Sequence, residues 1–223
     1  MRILHCSDFH HHIPWFSWLK NTSHRYDLIC LTGDLIDLFS KTSPRDQIAQ
    51  IREVLSAIPT PVAICSGNHD DADGTVGTTW MREVRSNQFW SDGDVFNLKG
   101  YALRCIGWNQ PLPVSGTPTE IWLVHAPPDD CTTSQERSGP NQGSFDLGEI
   151  CRSGLGPRII LSGHVHLPVN WRARIEHTWS FNPGVGANRD QPNAIELNLE
   201  RNIAVHTRRT AHDSVTSNPL SLT

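Results

Sequence analysis

Short apolar runs rich in β-branched residues recur along the first three quarters of the chain, at residues 3–6, 28–32, 62–65, 121–124 and 159–161. Few polar positions interrupt them, which predicts strands covered on both faces. Between the early runs the period changes. Ser43, Pro44 and Asp46 form a helix start, and Ile48, Ile51, Val54, Leu55 and Ile58 follow near helical spacing until Pro59 and Pro61 end it. A shorter helix is predicted after Pro14, with Trp15, Trp18 and Leu19 facing the core, and another over residues 79–86.

The second half reads differently. Residues 95–98 and 101–106, split by Lys99-Gly100, predict a hairpin. Residues 174–181 and 194–199 predict further strands, and Arg201-Asn202 turns the chain into a strand at 203–206. Two packed mixed sheets with helices outside accommodate both halves, so the fold class is α/β. One domain is expected over residues 1–209, followed by a polar, aperiodic and mobile tail at 210–223. Residues 129–144 are polar, with glycine and proline and no element of their own. A long loop of that kind, directly after His125, is expected beside a functional site.

Composition bounds the possibilities. With 37% hydrophobic and 19% charged residues in 223, the chain reads as an ordinary globular protein. A net charge of −4 argues against a protein that tracks a nucleic-acid polymer. No apolar stretch reaches the roughly 18 residues of a membrane span, and no secretory signal is expected. No pair among the six cysteines has C-x-x-C spacing, and Cys6, Cys30, Cys65 and Cys105 sit inside apolar runs. A reducing, cytoplasmic setting is the expectation.

The chemistry lies where the apolar runs stop. Five segments carry it: Ser7-Asp8-Phe9-His10, Gly33-Asp34, Gly67-Asn68-His69-Asp70, Val124-His125-Ala126 and Gly163-His164-Val165-His166. In open α/β sheets, ligands gather beyond the carboxyl ends of strands, so such segments can converge although far apart in sequence. Setting His69 aside, they offer two carboxylates, one amide oxygen and four imidazoles, a stock for two divalent ions sharing one carboxylate. Oxygen and imidazole donors suit Mn²⁺ first, with Fe, Zn²⁺ or Ni²⁺ as alternatives, and a structural zinc site is disfavoured because no cysteine is in line. A paired site both makes hydroxide at neutral pH and clamps a phosphate.

The ordered series D-x-H, G-D, G-N-H-D, H and G-H-x-H resembles the calcineurin-like metallophosphoesterase family. The segment Phe181-Asn182-Pro183-Gly184 is similar to a strand ending in its compact bacterial phosphodiesterases. The resemblance implies a four-layer α/β/β/α sandwich of two mixed β-sheets flanked by helices. It implies that one ion takes Asp8, His10, Asp34 and His166, and the other Asp34, Asn68, His125 and His164, with Asp34 bridging. It implies attack on phosphorus by a bridging hydroxide, with His69 as general acid toward the leaving oxygen. Asp37 lies where the family's protein phosphatases place an aspartate that orients this histidine. The arginine that follows in those phosphatases is Leu38 here, which argues against a phosphoprotein substrate.

A small, nucleotide-like phosphodiester is therefore the expected substrate. A nuclease or phosphomonoesterase of the same family is the alternative, and a non-catalytic binding scaffold a lesser one. His11 and His12 read as exposed or supporting residues. Trp15, Trp80 or Trp108 could stack on a nucleobase, and the sequence selects none of them.

Overall fold

The computed structural model describes residues 1–71, 78–84, 88–115 and 120–223. In chain order the first elements are β1 (Arg2–Cys6), α1 (Ile13–Thr22), β2 (Leu28–Thr32), α2 (Pro44–Ser56), β3 (Val62–Cys65) and β4 (Phe89–Trp90). Then come β5 (Val95–Leu98), β6 (Tyr101–Ile106), β7 (Glu120–Val124), α3 (Phe145–Arg152) and β8 (Ile159–Leu161). The chain ends with β9 (Arg172–Ile175), β10 (Thr178–Phe181), β11 (Ala194–Asn198), β12 (Ile203–Arg209), β13 (Ser214–Thr216) and β14 (Leu220–Ser221).

One sheet runs β13-β12-β11-β1-β2-β3-β4, with β14 also on β12, and the other runs β5-β6-β7-β8-β10-β9. Strands β1 to β4 are parallel, as are β6, β7, β8 and β10. The hairpin partners β11, β12, β5 and β9 are antiparallel. Both sheets are mixed, as expected.

The period of two explains the layers. Along β2, Ile29 and Leu31 pack with α1 and α2, against Phe16, Leu19, Ile51 and Leu55. The alternate residues Leu28 and Cys30 face the other sheet, against Leu103, Ile121, Leu123 and Leu161. Trp122 and Ile160, on the far face of that second sheet, meet Leu147 and Cys151 of α3. Each central strand is thus dry on both faces, which is why its sequence is almost unbroken apolar. The order is α/β/β/α.

Helix starts follow the local chemistry. Ser43 caps α2 by accepting the Asp46 N–H, and Ser144 caps α3 by accepting the Leu147 N–H. In α1, Phe16 is fully buried beside Trp15 and Leu19, while Trp18 packs only at the edge.

Three expectations change. Residues 174–181 are not one strand: Glu176, at φ +53°, turns the chain between β9 and β10. The helix expected over 79–86 is a short 3₁₀ turn, Thr79–Glu83, and residues 85–87 lie outside the described ones. The segment expected as a mobile tail pairs with β12 through β13 and β14, and Leu222 is buried in the core between the sheets. Its few apolar side chains find cover that no local period announces.

Candidate metal centre

Parallel strands deliver the site. Asp8, Asp34 and Asn68 follow the carboxyl ends of β1, β2 and β3; His125 and His164 follow β7 and β8. The loops are tied to one another before any ion is considered. Asp8 N–H donates to the Gly33 carbonyl at 3.1 Å, His10 N–H to the Asp34 carbonyl at 2.9 Å, and Gly163 N–H to the His125 carbonyl at 2.8 Å. His69 N–H donates to Asp34 Oδ1 at 2.9 Å, and His164 N–H to the Asp8 carboxylate at 3.1 Å.

The backbone here is strained. Asp8, His10, Asp34 and His164 have φ of +57°, +42°, +52° and +67°. Side chains other than glycine enter that region at a cost of order 1–2 kcal/mol and persist there only when surroundings over-determine them. Glycine permits the close approach of the loops. A Cβ at Gly163 would overlap Ser7 Oγ and Asp8 Oδ2, and one at Gly67 would overlap Asp34 Oδ1.

The donors converge in two groups around Asp34. Asp8, His10, Asp34 and His166 each offer an atom within 4.8 Å of the others. His10 Nε2 faces His166 Nε2 at 3.2 Å, and His166 Nε2 lies 3.5 Å from Asp8 Oδ1. In the second group, Asn68 Oδ1 is 3.1 Å from His125 Nε2 and 2.9 Å from His164 Nδ1. Asp34 serves both: Oδ1 is 3.3 Å from His125 Nε2, and Oδ2 is 4.0 Å from His10 Nε2. The other nitrogen of His125, Nδ1, lies 2.8 Å from the Thr32 carbonyl, which can only accept. Nδ1 therefore carries a proton and Nε2 points inward at Asp34 and Asn68, the usual outer support of a metal-binding histidine. Two oxygen-and-imidazole clusters sharing a carboxylate fit two divalent ions.

Electrostatics agree. Burial alone would raise the Asp34 carboxyl, yet His125 and the His69 N–H hold it far below the usual carboxylate range. Burial also disfavours charge on His125, but Asp34, Asp8 and the Thr32 carbonyl raise that ring to about 9. Burial, reinforced by His125, lowers His164 to about 4, so its ring is neutral and able to donate a lone pair. Asp70 is raised to about 7, first by burial and then by Asp34. It is a scaffold for the turns: Oδ1 accepts the Leu35 and Ile36 N–H groups and Oδ2 accepts Gly67 N–H.

A family profile described as calcineurin-like phosphoesterase matches residues 1–168. The chain belongs to the calcineurin-like phosphoesterase family. It is a metal-dependent hydrolase of phosphoric esters. Among solved structures, the protein TT1561 of Thermus thermophilus superposes with TM-score 0.64 at 16% identity, over 97% of this chain and 98% of that one. An archaeal phosphodiesterase gives 0.54 at 14%, over 97% and 100%. Purple acid phosphatase PPD1 from yellow lupin gives 0.56 at 13%, over 99% of this chain and 53% of that one. At these identities the likeness is one of fold. No curated protein matches the chain by sequence.

In this phosphoesterase the residues named from sequence are brought together with one exception. His69 lines the cavity over the two donor groups, with Nε2 3.9 Å from Asp34 Oδ2 and its ring against His10 and Phe39. The expected Asp37 partner is not there. The Asp37 carboxylate accepts the Phe39 N–H instead, and His69 Nδ1 is buried without a hydrogen-bond partner. A three-residue spacing after Asp34 does not fix where the side chain turns, and an Asx cap on its own loop won. Leu38 is exposed.

The 129–144 loop is ordered and sits at the site. Its Glu136 and Gln142 line the same cavity as Asn68, His69, His164 and His166, and Gln142 Nε2 donates to Glu136 Oε2 at 2.8 Å. The sequence marked the loop but not these residues, which carry no local signal. Asn182 was visible only as part of a short motif. It is fully buried, and its NH₂ donates to the Thr133, Gly163 and Val165 carbonyls, fastening the loop to the histidine-bearing turn. No helix among the described residues is long and apolar enough to cross a membrane.

Proposed function

We propose that the protein hydrolyses small, nucleotide-like phosphodiesters with two divalent ions, Mn²⁺ foremost. Asp8, His10, Asp34 and His166 would hold one ion; Asp34, Asn68, His125 and His164 the other. Bound there, the ions supply hydroxide at neutral pH and a clamp on phosphate oxygens. His69 Nε2, over the cavity beside Asp34, donates the proton to the departing oxygen. Its ring is held by His10, Phe39 and its own backbone bond to Asp34 rather than by Asp37. The free, mostly buried thiols are in keeping with a reducing, cytoplasmic setting.

One observation carries the preference for diesters. The cavity over the donor groups is lined by the Glu136 carboxylate, and among the described residues no lysine or arginine lines it. A monoester arrives as a dianion and meets that carboxylate with no lysine or arginine beside it to offset the extra charge, whereas a diester arrives with a single charge. Comparing kcat/KM for bis(p-nitrophenyl) phosphate and p-nitrophenyl phosphate with Mn²⁺ present tests this. A diester preference is expected, and a monoester preference would overturn it.

A further inference from the structure

A second cavity, of about 650 Å³, is lined by His125, His164 and Trp108. Of the three tryptophans able in principle to stack on a base, Trp15 and Trp80 are 6% and 3% exposed within the core under the helices. Trp108 is half-buried, with its ring centroid 5.7 Å from that of His125 and 5.5 Å from that of His164. It is also fixed relative to the site. Its backbone N–H donates to Oγ of Ser66, two residues before Asn68, at 2.8 Å, and Ser66 N–H donates to buried Asp92 at 2.8 Å. Pro111 and Leu112 add apolar surface to its lining, and Gln142 and Asp146 add polar groups. A pocket lined by an aromatic ring, a carboxylate and amides suits a flat heterocycle with polar edges better than an acyl chain.

Its flank matters as well. His69 stands on the His10 side, where the mechanism proposed above puts the leaving oxygen, and Trp108 stands on the His125 and His164 side. Resting on the dimetal reading above, we infer that Trp108 stacks on the nucleobase of a nucleoside 5′-phosphoryl group, the part of the diester that stays on phosphorus. In the step, water's oxygen bonds to phosphorus and the bond to the leaving oxygen breaks. Of the water's two protons, one ends on the leaving oxygen or, for a leaving group that departs as an anion, in solvent, and the other stays on the nucleoside monophosphate or passes to solvent.

Two esters with one leaving group isolate this subsite: thymidine 5′-(p-nitrophenyl phosphate) and methyl p-nitrophenyl phosphate. The native protein should favour the thymidine ester in kcat/KM. Trp108→Ala should lower that preference by about tenfold or more, and Trp108→Phe should keep most of it. A preference unchanged in Trp108→Ala overturns the inference. Hydrolysis of neither ester would sink the hydrolase reading itself, and binding then decides the subsite alone. Thymidine 5′-monophosphate, titrated calorimetrically, should bind Trp108→Ala about tenfold more weakly than the native protein, and equal Kd values overturn the inference.

Discussion

His10 Nε2 and His166 Nε2 face each other at 3.2 Å, although 156 residues separate them. At most one of the two nitrogens can donate to the other, and Asp8 and Asp34 stand beside both. Such an approach is held by the strained loops and is relieved by a cation. Metal analysis of the protein after loading with Mn²⁺ should find two ions per chain, and His166→Ala should lose about one. Ions at about 100 times Kd should add about 3 kcal/mol of stability for each occupied site, which a chelator removes. An unchanged melting temperature with and without chelator would contradict this.

His69→Ala should lower kcat on a diester with a poor leaving group by 10²–10⁴-fold, the usual worth of a positioned general acid. The loss should shrink when the leaving group needs no proton. Asp37→Asn should change kcat less than about threefold, because its carboxylate caps Phe39 N–H and leaves His69 Nδ1 unpartnered. Equal losses in the two variants would restore Asp37 to the mechanism.

Asp70→Ala removes the acceptor of three buried N–H groups, on Leu35, Ile36 and Gly67. Each orphaned donor costs about 1–3 kcal/mol, so a loss of at least about 3 kcal/mol is expected in urea denaturation. Metal affinity should fall too, since these groups flank Asp34 and Asn68. A variant as stable as the native protein would show that water replaces the carboxylate.

Glu136→Gln removes the negative charge from the cavity wall while leaving an acceptor for Gln142. The monoester-to-diester ratio of kcat/KM should rise several-fold, an effect measurable with the two nitrophenyl substrates. A ratio that stays put would place the selectivity elsewhere.

His206 is buried on β12, where a charged ring is disfavoured. Its Nε2 bonds the Pro183 carbonyl, and its ring stacks on Trp171. Burial lowers its pKa from 6.5 to about 4, with nearby Arg208 adding to the effect and the Pro183 carbonyl opposing it. The unfolded chain therefore binds the proton first as pH falls. This contribution to stability is complete above pH 6.5 and is lost progressively toward pH 4. From pH 7 to 5 the native protein should lose about 2 kcal/mol through this residue, and His206→Gln should flatten that part of the urea-denaturation profile.

Much of this protein was legible in the chain. Strands dry on both faces leave unbroken apolar runs with a polar residue at the exit, so β1, β2, β3, β7 and β8 could be read from pattern, and the family resemblance then picked seven candidate donors at their ends. The cap at Ser43 marked α2 for the same local reason. Helix α3 was missed although Ser144, Asp146, Leu147 and Cys151 carry a cap and a spacing, because Gly148 and a polar approach mask a helix of eight residues.

What depends on distance was decided by the tertiary structure. Sequence could raise Trp15, Trp80 and Trp108 together, but only packing buries the first two and leaves the third against His125 and His164. Asp37 had a plausible spacing, yet side-chain direction is set by its own loop. Glu136, Gln142 and Asn182 reach the site through a loop whose course is fixed by long-range hydrogen bonds. Local pattern records which residues leave a strand; where their partners come from is settled by sheets that bring distant strand ends to one edge.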